Sequence, residues 1–92
     1  MDEEYALRIR RRAEKELRKR VAHRDQERVA GAIDALAKDP RPRGCVKVRG
    51  APGGTFRIRV GEYRVVYVVL DDEPTVLIVR ITRRSEDTYE NL

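Results

Sequence analysis

Residues 56–67, FRIRVGEYRVVY, carry the pattern that decides the fold. Phe56, Ile58 and Val60 alternate with Arg57 and Arg59, the period of a strand with one buried face. Gly61-Glu62 fits a two-residue turn with glycine first, the II′ type whose twist suits paired strands. That turn sets a register in which Val60 faces Tyr63, Arg59 faces Arg64 and Ile58 faces Val65. One side of the hairpin then carries Phe56, Ile58, Val60, Tyr63, Val65 and Tyr67. The other gathers Arg57, Arg59 and Arg64 beside Val66. Like charges set opposite one another in a ladder are destabilising. A charged strand face is commonly just the solvated side of a sheet, and arginine on an edge resists aggregation. Three neighbouring guanidinium groups are also what a phosphate-binding surface needs.

Downstream, Tyr63–Leu70 is almost wholly apolar after Arg64, as expected of a central strand covered on both faces at its far end. Asp71–Pro74 is an acidic turn. Thr75–Thr82, TVLIVRIT, is a final strand, with Val76, Ile78 and Arg80 expected on one face and Leu77, Val79 and Ile81 on the other. Arg83-Arg84 follows at its end. Upstream, Gly50–Gly54 is a loop by composition. It lacks the Gly-Lys-Ser/Thr ending of a nucleotide-binding loop and opens no helix. Cys45–Arg49 alternates as a strand, after an extended connector, Pro40–Gly44.

Further towards the N-terminus, Ala13, Leu17 and Val21 recur at helical spacing from Arg11 onward. Glu14 and Glu16 are placed to pair with Arg18 and Arg20 four residues on. Asp25 is an expected N-cap for a second helix over 26–38, with Val29, Ile33, Leu36 and Ala37 as its apolar stripe and Asp39-Pro40 as its stop. Gly31 weakens that helix unless something packs closely against it. Tyr5–Ile9 is a short first strand. The fold class is therefore α+β: an N-terminal strand, a two-helix hairpin, then an antiparallel meander sheet, with the helices on one face.

The chain has 92 residues, enough for one domain, 1–92, with a small core. Its net charge of +5 and isoelectric point near 9.8 favour a polyanionic partner. Cys45 is the only cysteine, so no internal disulfide forms, and with His23 as the only histidine an ordinary zinc site is excluded. No metal or cofactor is expected. No apolar run approaches a membrane span and the first residues lack a signal-peptide core, so a cytoplasmic protein is expected.

Four pieces in this order, AEKELRKR at 13–20, DALAKDPRPRG at 34–44, FRIRVGEYRVVY at 56–67 and RRSEDTY at 83–89, are similar to the RelE/ParE superfamily of toxins from type II toxin–antitoxin modules, the RelE branch more closely. The resemblance spans nearly the whole chain. It implies a β-α-α-β-β-β-β domain acting as a metal-independent mRNA endoribonuclease on message in the ribosomal A site, restrained by a cognate antitoxin. By motif position it assigns catalytic roles to Arg57, Arg59, Arg64, Arg84 and Tyr89. Lys47, Arg49 and Arg83 are expected RNA-binding residues beside them. Many members carry histidine where Arg83 stands. Arginine does not readily give up its proton, so the general base stays unassigned, with Glu62 and Glu86 as the nearby carboxylates. The ParE branch, which inhibits DNA gyrase through protein contacts, and an inactive RNA- or antitoxin-binding domain are the alternatives.

Overall fold

The computed structural model describes residues 4–84. The order is β1 (Ala6–Ile9), α1 (Arg11–Lys19), α2 (His23–Ala35), β2 (Val46–Lys47), β3 (Thr55–Val60), β4 (Tyr63–Leu70) and β5 (Thr75–Arg83). The strands form one sheet in the order β1-β5-β4-β3-β2. Strands β2 to β5 are the expected antiparallel meander. Strand β1 closes the far edge parallel to β5, from Ala6 opposite Thr75 to Ile9 opposite Ile78.

The hairpin has the expected register, Val60 to Tyr63, Arg59 to Arg64 and Ile58 to Val65. Gly61 takes φ +59 while Glu62 stays at negative φ, the backbone signature of glycine leading a II′ turn. The helices cover one face of the sheet. Ala13 of α1 and Val29 and Ile33 of α2, with Leu36 just beyond, pack against Val65, Tyr67, Val76, Ile78 and Ile81, all essentially sealed from water. Burying each of the larger aliphatic side chains is worth about 1.5–3 kcal/mol, which is what holds two short helices to the sheet.

Several expectations are corrected. Helix α2 begins at His23, not 26, and Ala22, not Asp25, is its N-cap. The Tyr63 hydroxyl accepts the Ala22 N–H at 3.0 Å, so a tertiary contact pins this helix start, and Asp25 instead sits in the first turn, where its charge favours the helix dipole. The helix closes at Ala35, and the residues up to Asp39 continue as turns. Of the expected 45–49 strand, Val46 and Lys47 form ladder pairs with β3 and the Val48 N–H donates to the Thr55 carbonyl at 2.9 Å, before the chain turns at Arg49-Gly50, where Gly50 takes φ +79. Gly31 is solvent-exposed, with nothing within 4 Å of where a Cβ would stand, so no close packing accounts for it.

The last strand departs most from strict alternation. Val66 lies opposite Arg80 but Tyr67 lies opposite Ile78, so Val79 is an extra residue, a β-bulge. Beyond the bulge the faces exchange. Ile81 joins Val76 and Ile78 in the core, and Arg80 lies on the opposite face, not with Ile78 as expected.

Candidate functional site: an arginine pocket on the sheet face away from the helices

Cross-strand partners point to the same side of a sheet. Arg59 is opposite Arg64, and Arg64 is opposite Thr82; Arg57 is opposite Val66, and Val66 is opposite Arg80. All of these therefore lie on the face away from the helical core. The bulge is what brings β5 into this set. With unbroken alternation, Thr82 and Arg84 would share the face of Ile78 and point towards the helices.

Arg57, Arg59, Arg64 and Arg84 line one pocket of about 230 Å³, with Gly44, Val46 and Ile58 completing the wall. Arg59 and Arg84 are exposed, and Arg57 and Arg64 half-buried. Arg84 is not left on a loose strand end: its N–H donates to the Glu62 carbonyl at 2.8 Å, tying it to the hairpin turn. The opposite wall comes from the connector. There Gly44 takes φ +94, a left-handed conformation that glycine adopts without strain, and the Cys45 N–H donates to the Pro42 carbonyl at 3.0 Å.

The connector is itself clamped. Arg41 donates to Asp71 at 2.9 Å, Tyr5 donates to the other oxygen of the same carboxylate at 2.8 Å, and the Arg41 guanidinium lies 5.5 Å from the Phe56 ring centroid. These contacts hold the Asp71 carboxyl below its ordinary value, the Tyr5 hydrogen bond contributing most and Arg41 next. The Tyr67 hydroxyl donates to the Pro40 carbonyl at 2.7 Å, and burial pushes that phenol far above the usual tyrosine range.

The other expected residues lie elsewhere. Lys47 is opposite Phe56, on the face away from the pocket, and Arg49 lies in the turn after β2. Arg83 is opposite Tyr63, with its guanidinium 5.9 Å from that ring. None of the three lines the pocket. Tyr89 and Glu86 lie outside the described residues. Among the described residues no group of three or more His, Cys, Asp or Glu side chains is placed to hold a metal ion. Sequence reading passed over Thr82. Its signal, a hydroxyl alternating with Arg80 and Arg84, becomes legible only once the bulge is known. A second, more apolar groove of about 370 Å³ runs between α2 and β3, lined by Ala32, Leu36, Pro42, Ile58 and Val60, and shares Arg59 with the arginine pocket.

Residues 7–88 match the family model described as the ParE toxin of the type II toxin–antitoxin system parDE. A candidate toxin named RelE1 from Methanocaldococcus jannaschii is 36% identical over 61 residues, 64% of this chain and 67% of that protein. The RelBE2 toxin–antitoxin complex of Mycobacterium tuberculosis superposes with a TM-score of 0.75 at 30% identity, covering 89% of this chain and all of that one. The archaeal RelE–RelB complex of Pyrococcus horikoshii superposes at 0.77 with 26% identity, covering 91% and 99%.

Proposed function

The chain belongs to the RelE/ParE superfamily of type II toxin–antitoxin toxins, and from that premise we propose that it is a metal-independent endoribonuclease cutting mRNA on the ribosome, and hence working in the cytoplasm. The observation that carries this reading is the convergence of Arg57, Arg59, Arg64 and Arg84 on a single pocket. RNA supplies its own nucleophile, the 2′-hydroxyl. That oxygen attacks the adjacent phosphorus, the bond to the 5′-oxygen breaks, and the products are a 2′,3′-cyclic phosphate and a 5′-hydroxyl. One proton leaves the 2′-oxygen and one is delivered to the 5′-oxygen, so no water is consumed. The transition state gathers negative charge on the phosphoryl oxygens, and fixed guanidinium groups stabilise it more than they stabilise the substrate. The pair Arg59–Arg64, set opposite one another by the ladder, suits the non-bridging oxygens. Arg84, at the strand end, suits the leaving oxygen.

A cognate antitoxin is the partner this reading requires, and complexes with RelB among the structural relatives support it. The groove between α2 and β3 fits an apolar segment of such a partner. Because Arg59 borders both groove and pocket, an antitoxin seated there reaches the site it must silence.

The experiment is cleavage of message on programmed ribosomes by purified protein. Cuts ending in 2′,3′-cyclic phosphate, lost roughly 100-fold in Arg64→Ala and Arg84→Ala, are expected. Intact message with active wild-type toxin overturns the reading. The match to a ParE model motivates a second one, inhibition of DNA gyrase, and a supercoiling assay with purified gyrase separates the two. The arginine pocket favours RNA.

A further inference from the structure

Thr82 is 3% exposed, and its Oγ1 has no hydrogen-bond partner among the described residues. A buried hydroxyl without a partner costs free energy, and native chains keep few of them. Its neighbours on this face are donors. On its own face Thr82 is flanked along β5 by Arg80 and Arg84, and across the ladder by Arg64. Guanidinium groups offer only donors. An arginine can give a hydrogen bond to the threonine oxygen, but none can take the threonine proton. The Glu16 carboxylate that reaches the edge of β5 is already engaged by Arg80 and by the Ile81 N–H. Among the described side chains around it none is a free acceptor, and an anion held by the same arginines suits this hydroxyl.

We infer that Thr82 is a phosphate ligand of the arginine site, its hydroxyl donating to a non-bridging oxygen of the scissile phosphate. This rests on reading the pocket as a site for an RNA phosphodiester. Thr82 does not itself line the pocket, whereas Arg64 and Arg84 on either side of it do. The inference requires those two long side chains to turn onto the anion and so open the hydroxyl to it. Threonine adds what arginine lacks here, a short, β-branched donor with a restricted rotamer.

Thr82→Val keeps the shape and removes the hydroxyl, and cleavage measured beside stability separates a structural role from a ligand role. If Thr82 is only an orphan in the fold, the substitution leaves the protein equally or more stable and cleavage unchanged. If it is a phosphate ligand, stability is equal or higher while single-turnover cleavage on ribosomes falls about 10-fold or more, the effect of one hydrogen bond to a charged group. Thr82→Ser restores cleavage to within roughly threefold by keeping the donor. A second arm uses inorganic phosphate alone: it raises the melting temperature of wild type, and this rise shrinks in Thr82→Val. Equal phosphate shifts in both proteins, or no shift in either, overturn the inference. Loss of cleavage in Arg64→Ala with none in Thr82→Val overturns it too and leaves the nuclease reading standing. A wild type that cleaves no RNA, yet shows a phosphate shift that Thr82→Val loses, ends the nuclease reading and keeps Thr82 as an anion ligand.

Discussion

Glu16 of α1 and Arg80 of β5, sixty-four positions apart in the chain, form a buried ion pair, with Arg80 Nε at 2.9 Å and Nη2 at 2.8 Å from one carboxylate oxygen. The other oxygen accepts the Ile81 N–H at 2.8 Å. Strand β1 stops pairing with β5 at Ile78, so the Ile81 N–H would face an open sheet edge. The Glu16 side chain takes the place of the missing strand there. It also turns Arg80 towards the helix, so that Arg80 is absent from the pocket that Arg84 helps to line. Glu16, which the helical spacing places four residues before Arg20, also approaches Arg12 at 3.8 Å, but its shortest contacts are these internal ones.

Removing one half of this pair strands a buried charge. Glu16→Leu is expected to destabilise the protein by about 3–5 kcal/mol, whereas Glu16→Leu combined with Arg80→Leu recovers the part due to the stranded charge and stays about 1–3 kcal/mol below wild type, because the Ile81 N–H loses its acceptor in both. Urea denaturation of the two single variants and the double variant measures this. Additive losses would show that the two side chains do not act as a unit.

Gly61 carries two constraints at once. Its φ of +59 disfavours a side chain, and the Arg28 guanidinium lies where a Cβ would go. Gly61→Ala is expected to cost about 1–2 kcal/mol from the backbone alone. Because Glu62 in the same turn holds the Arg84 N–H, phosphate affinity should fall along with stability. Thermal melts with and without inorganic phosphate check both effects.

Gly31 behaves oppositely. It sits exposed within α2, with open space where a methyl group would be added. Gly31→Ala is expected to stabilise the chain by about 1 kcal/mol without changing activity. A lower melting temperature would contradict the absence of close packing there.

Asp71 makes the connector clamp pH-sensitive. Its folded carboxyl lies below the ordinary value of 3.8, because Tyr5 and Arg41 favour the charged form. A depressed carboxyl stabilises the fold fully above its unfolded value, and that contribution disappears as the pH falls through the folded one. The melting difference between wild type and Asp71→Asn should therefore be present near neutrality and close as the solution is acidified below about pH 4. A difference that stays constant across that range would remove the clamp from the stability of the connector.

Most of the frame was readable from neighbours in the chain. The hairpin register follows from a two-residue turn and strict alternation over Phe56–Tyr67, and both are local. So are the apolar stripes that place the helices over one face, and the three arginines that those same alternations put together. Asp25 was misread because a cap is chosen by whichever group reaches the helix end, and here Tyr63 reaches it from another strand.

Chain order alone thus specified a meander sheet with arginines clustered on the hairpin, since each of those features depends on residues within a few positions of one another. Folding in three dimensions settled the rest. The bulge at Val79 reversed the facing of β5 and delivered Thr82 and Arg84 to the arginine side. The edge that β1 leaves open drew Glu16 inward to Arg80. A bulge is a choice between two near-equivalent registers, and the partner of a buried charge is whichever element packs beside it, so neither is written in the spacing of the residues concerned.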